Sequence, residues 1–120
     1  MRLNTKESSM VYKYISQTKP GKSAASIHPK GQYYTKCRIN INKVSRTVTK
    51  HCSIDLFHPE ENRNLNINEL KRLGSFPDDF KFINNYHNAE GQIGNSVPPL
   101  FMMEIAKHIR EQLNNSVKIR

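Results

Sequence analysis

An α+β fold, with a small irregular β-rich subdomain leading into two short helices, is predicted by three features of the sequence. From Lys22 to about Phe57, aromatic and β-branched residues (Tyr33, Tyr34, Ile39, Ile41, Val44, Thr47, Val48) are broken by Gly31 and by the Asn40–Lys43 region, the texture of short strands and loops. Downstream, Ile67, Leu70 and Leu73 sit at helical spacing behind a capping signal. Met102, Ile105, Ala106, Ile109 and Leu113 then recur at intervals of three and four, which makes one apolar stripe.

Ser8 and Ser9 suit the cap of a short helix with Met10, Val11, Tyr14 and Ile15 on its apolar side, and Lys19-Pro20-Gly21 ends it. Asn66 is a good N-cap, Glu69 three residues later completes a capping box, and Leu65 with Leu70 can form a hydrophobic staple. Gly74 stands where a C-terminal glycine is expected. Ser75 to Phe80 reads as a turn with Phe76 and Phe80 as anchors, and residues 84–91 read as a loop. Pro98 and Pro99 suit the first turn of the last helix, where amide hydrogens have no helical partner anyway. Glu104, Lys107, Arg110 and Glu111 take its polar face, and fraying is expected from Asn114. The chain divides on this reading into residues 1–57 and 58–120.

At 120 residues and 36% hydrophobic content, the chain can bury only a modest core, which favours reliance on a partner or a larger body. No apolar run approaches the ~20 residues needed to cross a bilayer, so no membrane partner is expected. Cys37 and Cys52 make no disulfide framework, and a cytoplasmic, reducing setting is the expectation. The net charge of +9 is concentrated: Ser8 to Ser53 contains no Asp or Glu but holds Lys13, Lys19, Lys22, Lys30, Lys36, Arg38, Lys43, Arg46 and Lys50. A one-signed segment repels itself unless something anionic faces it, and a polyphosphate backbone is the usual candidate; the plainer alternative is a solvated basic surface.

Other chemistry is weakly signalled. His51 and Cys52 are adjacent, which on a strand points them to opposite faces, so both cysteines read as small buried residues. Cys37, His51, Cys52 and His58 lack the paired spacing of a zinc site. Gly94-Asn95-Ser96, ahead of the last helix, can hold a ligand at a helix N-terminus or serve simply as a cap.

Three segments carry a family resemblance. "RNLNINELKRLGSFPDDF" (63–80) resembles the ninth motif of DNA cytosine-5 methyltransferases, and "QIGNSVPP" (92–99) is similar to their tenth motif at the expected distance. "SRTVTKHCSIDLFHPEENR" (45–63) resembles the exit from their target-recognition region, and "KPGKSAAS" (19–26) is a weaker echo of that region's start. Two positions depart from the pattern: Asn66 stands for the usual Thr and still caps a helix, and Gly74 stands for the usual Gln.

The resemblance implies a partial target-recognition region over residues 1–57 and a ninth- and tenth-motif segment over 58–120, both part of a larger methyltransferase fold. It implies that Gly94, Asn95 and Ser96 face S-adenosylmethionine, and that the last helix docks on the catalytic N-terminal part or subunit of the enzyme. Thr47 matches the threonine whose hydroxyl meets a backbone phosphate of double-stranded DNA. Arg38, Lys43, Arg46 and Lys50 flank it and are the expected further phosphate or base contacts. The family's Pro-Cys nucleophile and Glu-Asn-Val acid do not occur in these 120 residues, so no catalytic residue is assigned. The expected role is the DNA-recognition and cofactor-pocket-completing C-terminal part of such an enzyme, as a fragment or as the small subunit of a split one. The alternative is a DNA-binding module without catalytic partner.

Overall fold

The computed structural model describes residues 10–83 and 85–118, apart from the side chains of residues 53, 54 and 118. Helix α1 (Met10–Ile15) opens it. The serines expected to cap that helix lie outside the described residues. α1 stops well before Pro20-Gly21, which forms a separate turn with Gly21 at φ +83°. The carbonyls at its end are taken by other donors: Ser16 N–H returns to Tyr12, and the Thr18 hydroxyl donates to the Tyr14 carbonyl at 2.8 Å.

The middle of the chain is sparser in strand than its aromatic and β-branched content predicts. Among the described residues, only β1 (Cys37–Arg38) and β2 (Leu56–Phe57) form a ladder, in parallel, with Cys37 opposite Leu56 and Arg38 opposite Phe57. Single bridges from Ser23 to Cys37 and from Phe57 to Asn64 extend this patch on both sides. Side chains and turns satisfy much of the remaining backbone, such as Asn40 Oδ1 accepting the Asn42 amide at 2.8 Å. A one-turn helix, α2 (Cys52–Asp55), leads into β2.

Helix α3 (Ile67–Leu73) has the capping box in full: Asn66 Oδ1 accepts the Glu69 amide at 3.0 Å and Glu69 Oε2 accepts the Asn66 amide at 2.8 Å. Leu65 and Leu70, the staple pair, are both buried. Its C-terminus differs from expectation. Gly74 has φ −81°, and the left-handed position is taken by Ser75 at φ +60°. Phe76 N–H to the Lys71 carbonyl (2.9 Å) and Ser75 N–H to the Arg72 carbonyl (3.0 Å) complete a Schellman motif. Gly74 is small for another reason: a Cβ there would lie 3.1 Å from the Ile93 Cγ2 and 3.3 Å from the Phe76 ring.

The expected loop at 84–91 is largely a helix, α4 (Tyr86–Asn95), and the carboxy-terminal part therefore contains three helices. The Asn85 side chain caps it by accepting the Asn88 amide. Tyr86, Ala89, Glu90 and Ile93 form its inward face, a helical period that Gly91 and Gly94 obscure in the sequence. α5 (Pro99–Lys118) is 20 residues long rather than short, and it continues through Asn114 without a break. Every described side chain beyond Pro99 is exposed, and the molecule extends to 67 × 32 × 21 Å as this helix projects from the body.

The main core gathers Cys52, Leu56, Leu65, Leu70 and Ile93, with Ile39, Val48 and Tyr86 packed against it. A second, smaller cluster holds Ile15, Ala24 and Phe57. Residues from both sides of position 57 thus share one core, and β1, β2, α3 and α4 pack as a single body.

Candidate functional site

The site grows from one crossing. The extended segment 44–50 runs over the last turn of α4, and its backbone at Thr49–Lys50 lies directly on Gly94. A Cβ on Gly94 would overlap the Thr49 carbonyl and stand 2.5 Å from the Lys50 nitrogen. The absent side chain is therefore accounted for by packing within the chain.

On one side of this crossing is a cleft of about 380 Å³. Arg46 and Thr47 line it together with Gly94 and Ser96, so DNA-side and cofactor-side candidates meet in one place. Its floor is apolar, from Val48, Leu73 and Ile93. Gly74 also lines it, where the bulkier Gln of the family pattern would stand. On the other side is a more open, polar cleft of about 580 Å³, lined by Lys50, His87, Gln92, Asn95 and Ser96. Ser96 borders both, and its hydroxyl donates to the Ile93 carbonyl at 2.7 Å, closing the end of α4.

The individual candidates fare differently. Thr47, Lys43 and Lys50 are exposed, and among the described residues no hydrogen bond or ion pair ties their side-chain polar atoms. Lys43 sits on the Asn40 turn, outside both clefts. Arg46 is exposed but tethered, with Nη1 donating to the Tyr34 carbonyl at 3.1 Å and contacting the Cys37 sulfur at 2.7 Å.

Arg38 departs from its expected place on a DNA-facing surface. It is only 4% exposed. Its guanidinium donates to the carbonyls of Ile15, Thr18, His58 and Glu61 and to Asn62 Oδ1, at 2.6–3.0 Å. Burial pushes its pKa below the ordinary arginine value. The planar five-donor fork is consumed in tying the end of α1 to the loop after β2, which leaves nothing for a phosphate. Lys36 is also turned to structure, paired with Asp55 at 2.9 Å.

The segment resembling the ninth motif serves as scaffold. Arg63 donates to both oxygens of Glu69 at 2.8 Å and to Glu61 at 2.6 Å. Hydrogen bonding from Arg63, aided by the Asn66 amide, holds the Glu69 carboxyl at about 2. Phe76, Phe80 and Phe82 form a trio with centroids 5.0–5.6 Å apart. Cys37 and Cys52 are both buried. Among the described residues, no group of three or more His, Cys, Asp or Glu is placed to hold a metal.

His87 falls in the stretch 84–91 that reads as a loop, and Gln92 enters the sequence reading only as the first residue of the tenth-motif resemblance. The signal that would have found them is the 86-89-90-93 period of α4.

A basic, partly irregular segment thus crosses the end of α4 at Gly94. The chain belongs to the C-5 cytosine-specific DNA methylase family, whose profile matches residues 2–111. It is 39% identical to a putative type II methyltransferase of Oceanobacillus iheyensis over 79 residues, covering 63% of this chain and 17% of that protein. It is 38% identical to a type II methyltransferase of a Picosynechococcus strain over 87 residues, covering 63% of each. With a putative type II methyltransferase of Methanocaldococcus jannaschii it shares 48% identity over 56 residues, covering 47% of this chain and 18% of that protein. The chain thus spans less than two thirds of the length of these relatives. No solved structure is significantly similar to it. Among the described residues no helix is long and apolar enough to cross a membrane.

Proposed function

We propose that this chain supplies the DNA-facing end of the recognition region, and one wall of the S-adenosylmethionine pocket, to a DNA cytosine-5 methyltransferase. The observation that carries the reading is the shared cleft, in which Arg46 and Thr47 stand beside Gly94 and Ser96. Thr47 offers a free hydroxyl to a backbone phosphate, while Lys43 and Lys50 add charge without being committed to protein partners. On the opposite side of the crossing, Gln92, Asn95 and Ser96 form a polar, open wall that suits the polar groups of the cofactor. The cofactor supplies the methyl group; these residues bind and orient it. Gly94 takes part through packing, and Asn95 and Ser96 carry the polar contacts. The exposed stripe of Met102, Ile105, Ala106 and Ile109 on α5 is the docking face for the catalytic part.

The test is a titration with duplex DNA at several salt concentrations. Lysines that neutralise phosphates release counterions, so affinity falls by roughly one power of salt concentration per phosphate contacted. Lys43→Ala with Lys50→Ala lowers affinity and flattens that slope. Lys107→Ala with Arg110→Ala, on the polar face of α5, changes neither. Equal losses in the two double variants, or no binding at low salt, refute the DNA-facing assignment.

A further inference from the structure

We propose that Gly94 is a positioning residue for DNA: by admitting the Thr49–Lys50 backbone onto α4, it sets where Arg46 and Thr47 stand. The inference rests on the DNA-facing reading of segment 44–50 and adds to it a residue that touches no ligand. The two glycines of α4 make the case by contrast. A Cβ on Gly91 would meet only the flexible Lys50 side chain, at 3.7 Å, an ordinary contact. A Cβ on Gly94 would run into backbone, which cannot swing aside. Only position 94 therefore needs glycine, although glycine is a poor helix former.

The segment has few other supports. It belongs to no strand, and its main anchors are the Val48 side chain in the core, the Arg46 tether to Tyr34 and Cys37, and the Thr49 carbonyl, which accepts the Cys52 amide at 3.0 Å. Thr47 lies two residues from the crossing, so displacement of Thr49 moves its hydroxyl directly. The same crossing puts Lys50 on the side of Asn95 and Ser96 and leaves Arg46 and Thr47 on the other.

The experiment compares wild type, Gly94→Ala and Gly91→Ala by thermal unfolding, by titration with a short DNA duplex at several salt concentrations, and by amide resonance shifts. In the wild type, the Thr47, Thr49 and Gly94 amides should respond to DNA with one common midpoint. Gly94→Ala should shift the Arg46–Lys50 amides in the free protein, weaken DNA binding several-fold and flatten the salt slope; Gly91→Ala should do none of these. A purely structural role would lower the thermal midpoint and leave the salt slope of the folded protein intact, which overturns the inference. Wild-type affinity and slope in a folded Gly94→Ala overturn it too, while the DNA-facing reading stands. Should that variant fail to fold, the wild-type titration decides, and a Gly94 amide silent at saturating DNA refutes the inference. Wild type that binds no duplex at low salt removes the DNA-facing reading, and this inference with it.

Discussion

Arg63 grips Glu69 through two parallel contacts of 2.8 Å, while the same carboxylate accepts the Asn66 amide at the start of α3. One acidic side chain thus closes a helix cap and holds a buried guanidinium. Double hydrogen bonds of this kind are among the stronger polar interactions in proteins.

The pair makes stability depend on acid pH. The Glu69 carboxyl lies at about 2 in the folded chain against an ordinary 4.5. Between those values the unfolded chain takes up a proton that the folded chain refuses, so stability is full above about pH 4.5 and declines as pH falls toward 2. The span is on the order of 2 kcal/mol once partial solvent exposure is allowed for. Urea unfolding of wild type and Glu69→Gln across this window should show a slope in the first and a flatter line in the second.

Arg38→Ala should destabilise the chain by about 3 kcal/mol or more, because it leaves the Thr18, His58 and Glu61 carbonyls without the guanidinium that now satisfies them and takes one of two donors from the Ile15 carbonyl, which also accepts the Thr18 amide. Arg38→Lys should recover only part of this, since an ammonium cannot span the same fork. If an Arg38→Gln variant, which removes the charge, folds, its DNA salt slope should equal that of wild type. A slope reduced by one contact would return Arg38 to the DNA surface.

Ser75 combines an unfavourable backbone with a useful hydroxyl. Its φ of +60° costs roughly 1 kcal/mol for a residue with a Cβ, and its Oγ accepts the Leu100 amide at 3.2 Å in the first turn of α5. Ser75→Ala keeps the cost and loses the cap, so it should destabilise by about 0.5–1 kcal/mol and speed hydrogen exchange at Leu100. Ser75→Gly loses the cap but relieves the backbone, and should be near neutral. Equal unfolding midpoints for the Ala variant and wild type would show that the contact contributes nothing.

Ile109 and Leu113 are 50% and 62% exposed on α5. Replacing both with Glu should leave the unfolding midpoint of the isolated chain within about 0.5 kcal/mol of wild type, since nothing among the described residues covers them. A larger loss would mean that the stripe already has a partner, in the chain itself or in a second copy.

The isolated chain should transfer no methyl group to duplex DNA, because the family's Pro-Cys and Glu-Asn-Val segments are not among its residues. Labelled methyl transfer that Cys37→Ser or Cys52→Ser abolishes would contradict this. Both thiols are buried, which makes either an unfavourable nucleophile.

What the sequence determined by itself is what depends on residues within one turn of each other. The Asn66–Glu69 capping box, the Leu65–Leu70 staple, the apolar stripe of α5 and the acid-free stretch around Thr47 all follow from side chains three to five positions apart, or from charge alone. Helix α4 obeys the same local rule, yet residues 84–91 read as a loop, and what packs on Gly94 lies some 45 residues away in the chain, at Thr49. Tertiary structure alone decided the rest. Arg38 and Lys43 carry the same charge in the same basic run, and only the convergence of α1, β1 and the loop after β2 buries one and leaves the other in water. Ser75 rather than Gly74 holds the left-handed conformation at the end of α3, while Gly74 is packed close to Ile93. In each case the deciding term is a desolvated or sterically closed contact between segments distant in sequence, and neither composition nor periodicity encodes such a contact.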